Sequence, residues 1–134
     1  MEWKQEVDKM AKGTLMEALG MEITELEKGR VVGIMPVDER TVQPFKILHG
    51  GASAAFAETL GSLGSYVVLK DSDSMAVGLE LNANHVRSAK SGFVYGEAIL
   101  IHGGRSTHIW EIKITNEEKK LVCTSRLTMI VKSK

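Results

Sequence analysis

A single acidic side chain, Glu58, lies in the middle of the longest apolar stretch of the chain, residues 43–69. Burying a carboxylate costs free energy unless it is paired or hydrogen-bonded, and burial raises its pKa. A carboxylate with a raised pKa in a partly apolar cleft can act as a general base or a nucleophile. We expect that role for Glu58; the alternative is a satisfied buried acid that holds a partner segment.

Two glycines, Gly50 and Gly51, follow His49 at the point where a polar loop gives way to the apolar stretch. Glycine lets a ligand come close to the backbone, and the first amides of a helix have no partner within the helix. Such amides, at the positive end of the helix dipole, can stabilise a carbonyl oxygen that becomes negative during a reaction. Together with a carboxylate about two turns deeper, they indicate acyl-transfer chemistry.

The stretch that carries Glu58 predicts a long, buried helix that starts at the two glycines. It is rich in Ala and Leu, it exceeds the length of a strand, and it is hydrophobic nearly all round. At helical spacing the large side chains of one face are expected to fill the core: Phe56, Leu60, Leu63 and Val67. The other face is expected to be a stripe of small residues around Glu58, open to a partner: Gly51, Ala54, Ala55, Ser62 and Ser65.

The composition predicts one domain, residues 1–134, in the cytoplasm. Its 17 basic and 17 acidic residues balance, which argues against a nucleic-acid or acidic-membrane binder. The single cysteine, Cys123, fits a reducing compartment and is expected to be a packed, unreactive thiol in a strand. The N-terminus lacks the apolar centre of a signal peptide, and no segment has the pattern of a transmembrane span.

The rest of the chain predicts an α+β fold. A helix in two pieces around Gly13, ended by Gly20, precedes two strands over 21–27 and 30–37. After the long helix, strand-like segments at 74–87, 92–102, 106–115 and 120–131 have short separators, which favour an antiparallel meander. The long helix is the element able to cover one face of this antiparallel sheet, so the sheet is expected to wrap around it. The open stripe of that helix then predicts at least a dimer.

The segment QPFKILHGGASAAFAETLGS, residues 43–62, resembles the loop and central helix of the hot-dog-fold acyl-CoA thioesterases. Four more segments agree in order and spacing: MPVDERT, GLELNANHVR, HGGRSTHIWEI and CTSRLTMI. The resemblance runs from Gly20 to Val131 and is nearest to the branch of aryl-CoA and 1,4-dihydroxy-2-naphthoyl-CoA thioesterases. It implies a hot-dog fold, an antiparallel sheet wrapped around a long central helix.

The resemblance also implies catalytic roles for five residues. Glu58 matches the carboxylate that faces the thioester carbon, either as nucleophile or as the base that activates water. Gly50 matches the residue whose amide binds the thioester oxygen, while His49 and Gln43 match residues that flank the thioester. Ser62, one turn after Glu58, can hydrogen-bond the acid or orient water.

The implied substrate is an acyl-CoA, which provides the coenzyme A itself, so no metal or redox cofactor is expected. His85 matches a position near the acyl group. For the phosphates of coenzyme A, the best-placed groups are Arg87 and Arg105 with the turn amides at Gly104 and the Ser106 hydroxyl. These arginines have the alternative of being solvated strand ends. The family further implies a homo-oligomer, a dimer or a tetramer built as a dimer of dimers, with active sites at the dimer interface.

Other chemistries find less support. The four histidines lack compact metal-ligand spacing, and His102 and His108, on either side of a glycine turn, are expected at the surface. The sequence contains no Gly-x-Ser-x-Gly elbow of a serine hydrolase. A hydratase on the same fold, a carrier-protein thioesterase and a non-catalytic acyl-CoA-binding module remain as alternatives. The resemblance therefore implies hydrolysis of an aromatic acyl-CoA thioester, with 1,4-dihydroxy-2-naphthoyl-CoA as the preferred substrate and benzoyl- or phenylacetyl-type thioesters as alternatives.

Overall fold

The computed structural model describes residues 2–134, which form three helices and six strands. The helices are α1 (Glu2–Ala11), α2 (Leu15–Ala18) and α3 (Gly50–Leu69). The strands are β1 (Glu22–Glu27), β2 (Arg30–Pro36), β3 (Ser74–His85), β4 (Phe93–Gly103), β5 (Thr107–Thr115) and β6 (Leu121–Ser133). Each predicted helix and strand is present, with ends that differ by at most two residues from those expected.

The six strands form one antiparallel sheet in the order β1-β2-β4-β5-β6-β3. The predicted four-strand meander is wrong at its first step, because β3 pairs with β6 and β4 pairs with β2. The connection after β3 is longer than its turn-like residues indicate. It is fixed to the rest of the chain by backbone hydrogen bonds from Leu48 to Ala89 and from Val37 to Gly92, which carry it from the sheet edge to the centre.

The sheet wraps around α3, as predicted. Phe56, Ala57 and Leu60 of the helix have no exposed surface, and they pack in one core with inward-facing side chains of the sheet: Val31, Met35, Val94, Ala98, Trp110, Ile112, Ile114, Cys123, Leu127 and Met129. Val122 and Leu63 are also buried, whereas Val67, predicted to fill the core, is only half-buried. Burial raises the pKa of the Cys123 thiol, which confirms a packed cysteine.

The N-terminal helices pack at the edge of this core. Val7 of α1 belongs to it, and Met16 of α2 packs against it although α2 has no fully buried residue. Gly13 and Gly20 take the left-handed conformation, with φ of 73° and 72°, so each breaks the helix where glycine is favoured. None of the helices within residues 2–134 is long and apolar enough to cross a membrane.

Candidate active site

Helix α3 begins with a cap that exposes its first amides. His49 precedes the helix in an extended conformation, and its Nδ1 accepts a hydrogen bond of 2.7 Å from the Gly51 amide. A Cβ on Gly51 would lie only 2.8 Å from the His49 ring, so this cap requires glycine. The neighbouring Gly50 amide donates to no protein acceptor among the described residues. It therefore remains available to a ligand oxygen, as the glycine pair predicted.

The Gly50 cavity, of about 410 Å³, opens beside this helix start. A Cβ on Gly50 would lie 3.0 Å from His85 Nε2, so the imidazole at the end of β3 closely flanks the helix start. The guanidinium of Arg87 is positioned by a 2.8 Å hydrogen bond to the Leu121 carbonyl. The cavity thus joins three predicted site residues, and its full lining is Ile47, Leu48, Gly50, Ser53, His85, Val86, Arg87, Ser88 and Val122.

The Glu58 cavity, of about 620 Å³, lies farther along α3. The N-terminal helices contribute Met10, Thr14, Leu15 and Met16, and α3 contributes Ala55, Glu58, Thr59, Ser62, Leu63 and Tyr66. Glu58 is exposed in the single chain, which contradicts the expected buried carboxylate. The reason is that α1 and α2 leave the cavity open, so no element within residues 2–134 covers the acid.

Gly78 of β3 makes room for the Glu58 carboxylate. A Cβ at Gly78 would lie 2.5 Å from Glu58 Oε2, and β3 also has an irregular register between Gly78 and Glu80. Gly78 was not among the residues predicted for the site. Its signal is a glycine inside a strand, which often marks a bulge or a close approach.

Ser62 shares the Glu58 cavity, but its hydroxyl donates to Met129 Sδ at 3.7 Å and not to the acid. Gln43 lies in the loop before α3, where its side-chain oxygen accepts a hydrogen bond from the Phe45 amide. The loop exposes 85% of Phe45 and places Lys46 at φ 66°. Gln43 lines neither cavity, so a single chain does not bring it to Glu58.

The remaining predicted binding residues, Gly104, Arg105 and Ser106, lie in the turn between β4 and β5. There the Gly104 amide donates to the Thr107 carbonyl, and the Ser106 carbonyl accepts from the Val131 amide. Strand pairing relates this turn to the beginning of β3, whereas His85 lies at the end of β3. One chain therefore separates this turn from Arg87 by about 25 Å, close to the length of the strand between them.

A second polar cluster is buried between α3 and the sheet. The Trp110 indole donates to Ser65 Oγ at 2.8 Å, and the same oxygen lies 2.8 Å from His108 Nδ1. All three residues are at most 2% exposed. Ser65 is thus not part of the open stripe and His108 is not at the surface, so both predictions are wrong. Burial lowers the pKa of His108, and the nearby His102, which is exposed as expected, adds to this effect.

No group of three or more His, Cys, Asp or Glu side chains in the described part of the chain is arranged to hold a metal ion. The candidate chemistry therefore rests on a carboxylate, a free helix-start amide and two nearby imidazoles. A carboxylate and an amide donor of this kind can together attack and polarise an acyl carbonyl.

Comparison with known proteins gives a consistent family. The model of the Thioesterase superfamily matches residues 45–123. The 1,4-dihydroxy-2-naphthoyl-CoA hydrolase of Listeria monocytogenes is 47% identical over 120 residues, covering 90% of this chain and 97% of its own. The proofreading thioesterase EntH of Cronobacter turicensis is 48% identical over 119 residues, covering 89% of this chain and 86% of its own.

A solved structure also matches closely. The crystal structure of a glutamine-to-alanine mutant of the Staphylococcus aureus thioesterase SAV0944 superimposes with a TM-score of 0.85 at 46% identity, covering 88% of this chain and 98% of that one. A glutamate-to-alanine mutant of the same protein has also been solved, and it superimposes with a TM-score of 0.87.

Proposed function

The chain belongs to the thioesterase superfamily and has its hot-dog fold, and from this premise we propose that it hydrolyses an aromatic acyl-CoA to the free acid and coenzyme A. Membership of the family supports thioester hydrolysis, and we further propose that the acyl group is aromatic. The observation that carries it is the position of Glu58 in a mainly apolar cavity of about 620 Å³. Ligand sites are typically apolar cavities with a few placed polar groups.

Glu58 is the group we assign to attack on the thioester, as nucleophile or as the base for water. The two mutated positions of the S. aureus thioesterase, a glutamine and a glutamate, are as far apart in sequence as Gln43 and Glu58 are here. This equal spacing supports Gln43 as the second residue of the site. No metal or redox cofactor enters the proposed reaction.

The hydroxyls of the Glu58 cavity favour an acyl group that carries its own hydroxyls. Thr14 Oγ1 donates to the Ala11 carbonyl at 2.6 Å, and Thr59 Oγ1 donates to the Ala55 carbonyl at 2.7 Å. Because these hydrogens are already used, the oxygens offer lone pairs to a ligand. Such acceptors suit phenolic O–H groups, which supports 1,4-dihydroxy-2-naphthoyl-CoA as the preferred substrate and a step in menaquinone synthesis as the context. Benzoyl and phenylacetyl thioesters, and acyl carrier proteins, remain alternatives.

The distance between Gly50 and Glu58 supports a site built from two chains. The two residues are eight positions apart in the helix, a rise of about 12 Å, which is too far for both to act on one carbonyl group. The two residues also line different cavities. We propose that the Gly50 amide of one protomer and the Glu58 carboxylate of its partner act on the same thioester, in a dimer or in a tetramer of two dimers.

Strand β3 is an edge strand of the sheet, so a second chain can pair with it to form this dimer. If two copies of β3 run antiparallel across a two-fold axis, the end of one strand meets the start of the other. His85 and Arg87 of one protomer then approach the Gly104–Ser106 turn of its partner. This arrangement gathers the groups proposed to bind the phosphates of coenzyme A, which one chain keeps apart.

The test is steady-state hydrolysis of a panel of coenzyme A thioesters by the wild type and by Glu58→Gln, with released thiol as the readout. The panel contains 1,4-dihydroxy-2-naphthoyl, benzoyl, phenylacetyl and butyryl groups. The proposal predicts that wild-type turnover depends on Glu58 and is fastest with an aromatic thioester. Fastest turnover of the butyryl thioester would reject the aromatic substrate. Thioester binding without turnover would favour an acyl-CoA-binding module.

The proposed location is the cytoplasm. Coenzyme A thioesters are the proposed substrates, and the single thiol of the chain, Cys123, is buried and free. A protein without an internal disulfide fits a reducing compartment.

A further inference from the structure

The short helices α1 and α2 contribute large apolar side chains to the cavity that contains the catalytic carboxylate. Met10 lies near the end of α1, and Leu15 and Met16 lie at the start of α2. Leu63 and Tyr66 of α3 also line this cavity. These side chains form an apolar enclosure next to Glu58. The side chains from α1 and α2 come from outside the central sheet and helix.

The core accounts for only one of these N-terminal side chains, Met16, which is half-buried and packs against it. Met10 is 42% exposed and Leu15 is 56% exposed, whereas Val7 is the residue of α1 that is buried. Large apolar groups that converge on a cavity while remaining exposed are typical of a ligand-binding surface. Methionine suits such a surface, because its flexible and polarisable side chain adapts to flat rings.

Contacts on both sides of Gly13 fix this segment. Glu6 of α1 accepts from Lys70 Nζ at 2.9 Å and from the Tyr66 hydroxyl at 3.4 Å, which joins α1 to the end of α3. Val7 of α1 belongs to the core, and Met16 of α2 packs against it. The apolar side chains of the segment therefore keep a defined position relative to Glu58.

The chemistry of the cavity distinguishes between the two parts of an acyl-CoA. None of the described side chains that line the Glu58 cavity is a cation, and Glu58 itself is an acid. The phosphates of coenzyme A would gain nothing there. The Gly50 cavity, by contrast, contains Arg87 and His85. An uncharged acyl group is therefore the better occupant of the space below α1 and α2.

On the basis of the function proposed above, we propose that Met10, Leu15 and Met16 determine acyl specificity. They form the wall against which the acyl group packs, and their combined volume limits the size of the acyl group that reaches Glu58. They touch the acyl group and take no part in the bond that breaks.

The test enlarges side chains of this wall and compares the hydrolysis of a large and a small acyl group. Leu15→Trp and Met16→Trp each add a ring at a partly exposed position. Ile101→Trp is the matched control, since Ile101 is 52% exposed and lines neither the Glu58 cavity nor the Gly50 cavity. The measurement is kcat/KM for 1,4-dihydroxy-2-naphthoyl-CoA and for butyryl-CoA. Leu15→Ala, which removes an exposed side chain, provides a second variant with little risk to folding.

The proposal predicts that each cavity-filling tryptophan lowers kcat/KM for the naphthoyl thioester about tenfold or more, with butyryl-CoA changed less than about twofold. Leu15→Ala should lower the naphthoyl value severalfold, and Ile101→Trp should leave the ratio of the two substrates unchanged. An equal fall with both thioesters, or no change with either, would overturn the inference while the proposed function stands. A wild type without activity on the panel would reject the proposed function and this inference with it.

Discussion

Two polar side chains of α3 lie on nearly the same side of the helix, two turns apart, but in opposite environments. Glu58 is exposed and lines a cavity next to apolar side chains of α1 and α2. Ser65 is fully buried and links Trp110 to His108. The buried hydroxyl therefore serves the fold, whereas the exposed carboxylate is available for chemistry.

Glycines create this difference between the two halves of α3. A Cβ at Gly61 would lie 2.6 Å from Leu127, and one at Gly64 would overlap the Trp110 ring. The sheet therefore comes very close to the second half of α3 and covers Ser65. Near the first half, Gly78 of the sheet leaves space for the Glu58 carboxylate.

The largest effect is expected at Glu58. Glu58→Gln keeps the volume of the side chain but removes its charge, so kcat should fall about a thousandfold. The free energy of unfolding should remain within about 0.5 kcal/mol of the wild type, because the side chain is exposed. Steady-state kinetics and urea denaturation measure the two quantities. Large destabilisation with retained turnover would show that Glu58 is a structural acid and would contradict its contrast with Ser65.

The opposite result is expected at Ser65. Ser65→Ala leaves the Trp110 indole N–H and His108 Nδ1 without their shared partner, which should lower the free energy of unfolding by about 1–3 kcal/mol. The kcat of the folded enzyme should be unchanged, since the cluster lines neither cavity. Ser62→Ala is the stability control, because Ser62 lines the Glu58 cavity and makes only a weak contact with Met129. Equal stability of the two variants would contradict the assignment.

A smaller effect is expected in the pH dependence of the free energy of unfolding, through His108 of the buried cluster. Burial lowers the pKa of His108 below its ordinary value of 6.5. Below pH 6.5 the unfolded chain therefore binds more protons than the folded one, so stability from the neutral His108 is complete above pH 6.5 and is lost as the pH falls through that value.

Urea denaturation from about pH 8 to about pH 5 measures this dependence. His108→Gln should flatten the fall in unfolding free energy, whereas His102→Gln, at an exposed position, should preserve most of it. An unchanged slope in His108→Gln would show that other groups cause the acid sensitivity.

Much of the fold could be predicted, because its main signals are local. The apolar length and composition of 50–69 indicated α3, and alternating strands with glycine turns indicated the sheet. The hot-dog fold implied by the resemblance is confirmed. The position of β3 was not predicted, since its pairing with β6 depends on the connection to β4 crossing the molecule. Short separators do not reveal which strands they join.

The burial of individual side chains was harder to predict than the helix itself. Glu58 and Ser65 fall on nearly the same side of an ideal helix, so periodicity placed them in one stripe. Their different environments arise from the close approach of the sheet at Gly61 and Gly64. His108 was assigned to the surface because its turn is polar, yet the strand that begins at Thr107 directs it inwards. Tertiary packing, which one-dimensional spacing does not contain, decided these cases.

In the proposed site, the Gly50 amide of one protomer and the Glu58 carboxylate of its partner act on one thioester. Glu58→Gln removes the acid and Gly50→Val crowds the free amide, since even a Cβ there lies 3.0 Å from His85. Each variant should be nearly inactive alone. In an equal mixture refolded together, half of the dimers are mixed and one of their two sites is intact, so about a quarter of the wild-type activity should return. Activity no greater than that of the separate variants would contradict the claim.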